Sequence, residues 1–276
     1  MEVRGENIML RDITLGQYYP GDSVLHRLDP RTKLVGTMVF IISLFLFRTF
    51  GAYLVATVFL AVVIKISKVP FKFMVKGLKS ILILLLITMV FNLFLTPGTP
   101  VFRIWKLVIT REGILQALFM AIRLVYLIIG STVMTLTTTP NNLTDGMEKG
   151  LSPLKKLHVP VHEVAMMMSI ALRFIPILME ETDKIMKAQM ARGADFESGG
   201  LIKKAKSMVP LLVPLFISAF RRANDLAMAM EARGYRGGDG RTKMKPLIYK
   251  RRDYTAYALL LCYLLCICLA GWFLPF

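Results

Sequence analysis

Two short stretches of the chain repeat the pattern Ala-x-x-Ala-Arg-Gly, and the arginine of each could bind a partner. The arginines, Arg192 and Arg233, lie 41 positions apart in a basic, polar region between apolar segments. A guanidinium offers a planar fork of N–H donors that matches carboxylates and carbonyl oxygens. Small residues on both sides of each arginine allow a partner's backbone to approach closely. The repeat therefore predicts a paired docking element, formed by Ala191, Arg192 and Gly193 and by Ala232, Arg233 and Gly234.

Each Ala-Arg-Gly triplet also has a simpler explanation as the end of a helix. Arginine suits the negative end of the helix dipole, and glycine is the favoured residue just beyond the last turn. Capping alone would account for a single triplet. Two triplets, each after a long helical pattern in one region, favour docking, with capping as the local mechanism that shapes each tip.

Other patterns that could support chemistry are weak in this chain. His158 and His162 have metal-ligand spacing only superficially, because Pro160 lies between them and no His-Glu-x-x-His order is present. The glycines Gly146 and Gly150 are not followed by the Lys of a phosphate-binding loop. No nucleophile–base pair stands out either. We therefore predict no catalytic residue, no metal site and no cofactor in this chain.

The composition indicates a helical membrane protein. Apolar residues make up 55% of the 276 residues, and the mean hydropathy is +0.57. Several uncharged runs are long enough to enter a bilayer, which about 20 apolar residues can span. The predicted fold class is an all-α polytopic membrane protein with about five transmembrane helices. The predicted spans are Leu34–Phe47, Thr49–Ile64, Ser80–Phe102, Gly113–Thr139 and Tyr254–Phe276.

The net charge of +17 could suggest nucleic-acid binding, but its distribution argues against that partner. The excess of Lys and Arg lies in segments that flank the apolar runs, as the positive-inside rule and anionic lipid headgroups predict. The expected partner is therefore the lipid bilayer. The same excess predicts a cytoplasmic amino terminus and a carboxyl terminus outside. The basic residues that then fall in outer loops are Arg48, Arg103, Lys106 and Arg111.

Five lysines between the second and third apolar runs recur every three or four residues. On one continuous helix they would share a face, which predicts an interfacial helix resting on anionic headgroups. The lysines are Lys65, Lys68, Lys72, Lys76 and Lys79.

Residues 140–253 read as helices that mix apolar residues with charge, and their ends are too charged to span cleanly. We predict a platform of about three long helices at the cytoplasmic face. Pro176 is expected to kink the second helix, and Pro210 and Pro214 are expected to interrupt the third. The predicted domains are residues 1–139 with the amino-terminal segment and four spans, residues 140–253 with the platform, and residues 254–276 with the last span.

Consecutive methionines give the second platform helix an unusual composition. They are Met166, Met167 and Met168. Methionine usually fills cores, but its flexible thioether also repacks against different surfaces. The sequence leaves two roles open, core filler and a deformable surface for more than one partner.

At these motifs the chain resembles a known family, the transmembrane T component (EcfT) of energy-coupling factor (ECF) transporters. The resemblance covers most of the chain. It is most specific at residues 192–196 and 231–238, which contain the arginine and glycine of each triplet. Shorter matching segments lie at residues 12–21, 28–33, 143–146, 152–154, 169–176 and 219–223.

The resemblance implies a non-catalytic scaffold in an ATP-driven importer of vitamins or other micronutrients, in a prokaryotic cell membrane. The two platform helices that end in the triplets would be coupling helices. Arg192 and Arg233 would each dock in a groove on one of two ABC-type ATPases, which would bind the ATP and Mg²⁺. The motion of the ATPases would pass to a substrate-binding membrane protein, the S component. In this family one T component often serves several S components, which suits a methionine-rich platform.

Two rival functions follow from other readings of the residues. A stand-alone secondary carrier is disfavoured because no Asp or Glu lies inside an apolar run. An intramembrane enzyme is disfavoured because no catalytic constellation stands out.

Overall fold

The computed structural model describes residues 18–47, 49–104, 107–196, 200–238, 244 and 246–273. Residues 12–17 of the amino-terminal motif, and Arg48 and Lys106 of the expected outer loops, lie outside this part. The chain forms two compact units. The first, here called the bundle unit, contains the described residues between 18 and 150 and between 247 and 273, and the second, the arm unit, contains those between 151 and 246.

The described chain is almost entirely helical, with one short antiparallel β-hairpin between two of the helices. Residues 152–157 form a single 3-10 helix. The elements in chain order are α1 (Pro30–Leu46), α2 (Phe50–Ser67), α3 (Phe71–Leu95), β1 (Pro100–Ile104), β2 (Leu107–Thr110), α4 (Arg111–Thr137), α5 (Pro140–Gly150), α6 (Val161–Ala191), α7 (Leu201–Ala232) and α8 (Arg251–Phe273).

The prediction of an all-α polytopic membrane protein is confirmed. Within the described residues, the helices α2, α4, α6 and α8 are long and apolar enough to cross a bilayer. A fifth candidate is α3, whose segments Phe71–Lys79 and Ile81–Leu95 meet at a bend of 60°. This set of candidate spans differs from the predicted set at two helices. The first predicted span corresponds to α1, which has 17 residues and is shorter than every candidate span. The helix α6, which was expected in the platform, is a candidate span because it contains a stretch of mean hydropathy 1.6.

The prediction of one lysine face is wrong. Lys65 lies in the last turn of α2, and Lys68 ends that helix in a left-handed conformation with φ 55°. Pro70 then precedes α3, which carries the later lysines and bends by 60° where the third apolar run begins. A proline disfavours helical conformation in the residue before it, so the lysines are divided between two helices.

The expected interruption of α7 is also wrong. The helix runs unbroken from Leu201 to Ala232 with Pro210 and Pro214 inside it. Pro214 has no N–H with which to bond the carbonyl four residues earlier. The oxygen thus released, that of Pro210, accepts instead from Nε2 of Gln189 on α6 at 3.5 Å. A side chain of the neighbouring helix therefore supplies the missing donor.

The core of the bundle unit forms where α1, α2, α4 and α8 pack together. Phe40 of α1, Ala56 of α2 and Ile267 of α8 are at most 3% exposed. The helices α1 and α4 approach closely at Gly130, where a Cβ atom would lie 2.8 Å from the Phe40 ring. The packing therefore joins helices that are far apart in sequence.

A buried carboxylate joins the amino ends of α1 and α8. Asp253, in the first turn of α8, is 2% exposed. Its Oδ1 accepts from the backbone N–H of Asp29 at 2.8 Å and from Oγ1 of Thr32 at 3.3 Å. Its Oδ2 accepts from the N–H of Lys250 at 2.8 Å, as in a capping box. One side chain thus satisfies donors on two helices.

Substituting Asp253→Asn is expected to destabilise the bundle unit by about 1–3 kcal/mol, because the new NH₂ group must face a buried N–H donor. The measurement is the midpoint of heat-induced unfolding in detergent. As a control, Asp22→Asn removes a carboxylate that pairs with Arg27 at the surface, and it should leave the midpoint unchanged. Equal midpoints for Asp253→Asn and the unaltered chain would show that the carboxylate does not join the helices.

Candidate docking tips

The first triplet forms a complete Schellman motif at the end of α6. The helix ends at Ala191 and Arg192 is its C-cap. Gly193 follows with φ 88°. The N–H of Gly193 donates to the carbonyl of Met190 at 2.9 Å, and the N–H of Ala194 donates to that of Gln189 at 3.0 Å. These are the two hydrogen bonds that define the motif.

The second triplet forms the same motif at the end of α7. Arg233 is the C-cap and Gly234 has φ 70°. The N–H of Gly234 donates to the carbonyl of Glu231 at 2.8 Å, and the N–H of Tyr235 donates to that of Met230 at 3.0 Å. The prediction that each triplet caps a helix is confirmed, and the two tips share one backbone geometry.

The backbone conformation at Gly193 and Gly234, and not a lack of space for a side chain, is what requires glycine at these two positions. A left-handed φ costs an L-residue roughly 1–2 kcal/mol, whereas glycine adopts it freely. A Cβ atom added at Gly193 or Gly234 would meet nothing within 4 Å. The space around each tip is therefore open on the side of the glycine.

Both tip arginines are available to a partner. Arg192 and Arg233 are exposed, as are the alanines that precede them. Among the described residues, neither guanidinium has a hydrogen-bond or ion-pair partner. Each tip therefore presents a cation, a small residue on either side and a rigid turn.

The tips lie at opposite ends of an antiparallel helix pair. Near the end of α6, Gln189 contacts Pro210 in the first third of α7. Further back along α6, Glu181 pairs with Arg222 at 2.7 Å. His162, at the start of α6, lies against Gly238, just after α7. The order of these three contacts shows that the chain directions are opposite, so Arg192 and Arg233 lie at opposite ends of the pair.

The residues that follow the tips differ in charge. Asp195 comes three residues after Arg192, whereas Arg236 comes three residues after Arg233. The two tips therefore share a backbone geometry but differ in the charge that lies three residues beyond the arginine.

The three methionines lie in the first half of α6. Met167 is 58% exposed and Met168 is 51% exposed, while Met166 is half-buried. Two of the three side chains are therefore not core filler within the arm unit. Their role as a surface for partners stays a prediction.

Sequence reasoning missed the Glu181–Arg222 ion pair. The two residues are 41 positions apart, and the antiparallel packing of α6 and α7 brings them together. Within the described part of the chain, no group of three or more His, Cys, Asp or Glu side chains is placed to hold a metal ion.

Comparison with known proteins finds relatives that are all described as transport proteins. The family model of a cobalt transport protein, CbiQ, matches residues 21–244, which include both tips. A protein of Clostridium kluyveri, described as the energy-coupling factor transporter transmembrane protein EcfT, is 59% identical over 265 residues, covering 95% of this chain and 97% of its own length. The chain belongs to the EcfT family.

Other EcfT proteins match over similar lengths. The one from Bacillus subtilis is 52% identical over 246 residues, covering 89% of this chain and 93% of its own length. The EcfT protein of Acidaminococcus fermentans is 49% identical over 268 residues, covering 97% of this chain and 100% of its own length. This EcfT-family chain is therefore a multi-pass transmembrane component of a transporter.

Proposed function

We propose that this chain is the non-catalytic scaffold and force transducer of an ATP-driven ECF importer. It couples two ABC-type ATPases to a substrate-binding S component for uptake of vitamins or other micronutrients. The observation that carries the proposal is the pair of exposed arginine tips, which have the same backbone geometry and lie at opposite ends of the antiparallel pair formed by α6 and α7. One chain with two outward-pointing tips is suited to two partners of similar shape.

The proposal assigns each tip to one ATPase. Ala191, Arg192 and Gly193 enter a groove on the first, and Ala232, Arg233 and Gly234 enter a groove on the second. In each groove the arginine fork binds carboxylate or carbonyl oxygens, and the small residues allow close contact. ATP and Mg²⁺ bind in the ATPases, since this chain lacks a phosphate-binding loop sequence.

The mechanism follows from the rigidity of the tips. ATP binding draws the two ATPases together, and the tips carry that displacement into α6 and α7. These coupling helices then tilt or release the S component, whose substrate site is exposed to one side of the membrane at a time. The ATPases thus shift the population of two states of the complex. Met166, Met167 and Met168 form a surface that repacks against the S component.

The orientation is part of the proposal. The ATPases use cytoplasmic ATP, so both tips lie on the cytoplasmic side of the cell membrane. The distribution of Lys and Arg supports a cytoplasmic amino terminus and a carboxyl terminus outside.

Affinity purification of the tagged chain from its own cells in mild detergent tests the proposal. We expect two ABC-type ATPase subunits and an S component to co-purify, identified by mass spectrometry, and the purified complex to hydrolyse ATP. A chain that purifies without ATPases, and that transports substrate in response to an ion gradient, is a secondary carrier and contradicts the proposal.

A further inference from the structure

Arg123 is a buried cation in the middle of α4, and only 6% of the residue is exposed. Its Nε donates to the hydroxyl of Tyr53 at 3.0 Å, and its Nη1 lies 4.0 Å from the sulfur of Met120. Its Cζ lies 5.3 Å from the centre of the Phe45 ring. In the described part of the chain no carboxylate pairs with this guanidinium, so its charge lacks a counter-ion there.

The buried arginine lies where three helices meet. Tyr53 belongs to the first turn of α2, and Phe45 belongs to the last turn of α1. One turn before Arg123, the ring of Phe119 contacts that of Phe50 with 5.0 Å between their centres. The guanidinium is therefore level with the connection between α1 and α2.

This connection is too close to the other end of the bundle to reach the far side of an ordinary bilayer. At that other end, Nζ of Lys33 near the start of α1 donates to the carbonyl of Thr137, the last residue of α4, at 2.8 Å. From Thr137 back to Arg123 the helix rises 14 residues, about 21 Å. The hydrocarbon layer is about 30 Å thick, so the guanidinium lies inside it.

At this depth the site retains unused hydrogen-bond donors. Nη2 of Arg123 has no hydrogen-bond partner among the described residues, yet it is not sealed inside the protein. Thr49, the N-cap of α2, makes no capping hydrogen bond, and in the described chain its buried Oγ1 has no partner. The free N–H groups and the dipole of a helix start attract anions. A cation and an uncapped helix start thus lie side by side.

We propose that the notch formed by Arg123, Tyr53 and the first turn of α2 binds the phosphate of a phospholipid headgroup. A charge in hydrocarbon is costly unless it is paired, and an arginine fork matches two phosphate oxygens. The side chains of Leu46 and Leu54 beside the notch are 71% and 67% exposed. A lipid fits both parts, because its phosphate meets the cation while its acyl chains cover the leucines.

This binding site lies in the bundle unit and goes beyond the proposed function, since docking of the ATPases does not require it. Its role is to supply the counter-ion that the chain itself does not place beside Arg123. The short helices α1 and α2 are then compatible with a bilayer, because a headgroup reaches the level of their connection.

Titration with phosphatidylglycerol tests the notch, using the chain purified with its partners in mild detergent and counting bound lipid by native mass spectrometry. The unaltered chain is expected to hold one lipid more tightly than the others. Arg123→Gln is expected to weaken binding of that lipid at least about tenfold, as for loss of a hydrogen bond to a charged group. Arg123→Lys keeps the charge and should bind within about fivefold of the unaltered chain.

Arg27→Gln is the matched control, because it removes the same charge from the bundle unit but Arg27 already pairs with Asp22. This variant should leave the affinity for the tight lipid unchanged. Inorganic phosphate and diacylglycerol each carry one half of the ligand, and neither alone should displace the phosphatidylglycerol.

Equal affinities for Arg123→Gln and Arg27→Gln would overturn the proposal. Displacement by inorganic phosphate would show a site for free phosphate, displacement by diacylglycerol would show an apolar groove, and either result overturns it as well. If the unaltered complex holds no tight lipid and Arg123→Gln loses the S component, a partner protein covers the notch and the lipid is the wrong occupant. Should Arg123→Gln fail to fold, a loss well beyond fivefold in folded Arg123→Lys contradicts the site.

Discussion

The double substitution Arg192→Ala with Arg233→Ala is expected to abolish both ATPase association and ATP-driven uptake. Each arginine is the one charged group at the centre of its tip, and truncation of such a residue costs about 2–4 kcal/mol of binding. That corresponds to a loss of roughly 30- to 1000-fold in affinity at each tip. With one tip left, the remaining contact keeps the second ATPase near the complex, so the single variants should be intermediate.

The measurement combines the yield of co-purified ATPases with uptake into vesicles at fixed ATP. Arg221→Ala is the control, because Arg221 is an exposed arginine of α7 outside the tips and should leave both quantities unchanged. If the double variant still binds the ATPases and imports at the normal rate, the docking role of the tips is wrong.

Replacing the tip glycines, Gly193→Val with Gly234→Val, is expected to weaken ATPase association by roughly 5- to 30-fold at each tip. A side chain at these left-handed positions costs about 1–2 kcal/mol, so the Schellman turn opens and the arginine leaves its place. The helices themselves should persist, because a Cβ atom at either glycine meets nothing within 4 Å.

A matched control distinguishes conformation from added bulk. Gly150, at the end of α5, also has open space around it but an ordinary backbone conformation, so Gly150→Val should leave association unchanged. Association is measured by titrating detergent-solubilised chain with purified ATPases, and helical content by circular dichroism. Equal affinities for the tip variant and the control would show that the turn's shape is not what the ATPases bind.

The parts of the structure that depend on local sequence could be predicted. The helix caps at Ala-Arg-Gly follow from the dipole and from glycine's freedom at positive φ, and the membrane class follows from long uncharged runs. These features require no knowledge of which helix packs against which.

The parts that depend on packing could not be predicted. Asp253 satisfies a donor 224 residues away, and nothing near it in sequence marks it as buried. Pro214 was expected to break its helix, and this expectation was wrong. The donor that compensates for its missing N–H is the side-chain amide of Gln189, which comes from another helix. The ion pair at Glu181 was missed for the same reason, since its meaning depends on the antiparallel packing of α6 and α7.

The turn at each tip has a consequence for the kinetics of assembly. Its backbone hydrogen bonds are formed within the chain itself, so the shape that a partner meets already exists before contact. Preorganisation of this kind removes the entropic cost of ordering a loop during binding. On the proposed function, partners therefore separate from the tips and return without refolding of the chain, as a scaffold whose contacts bear load in every transport cycle requires.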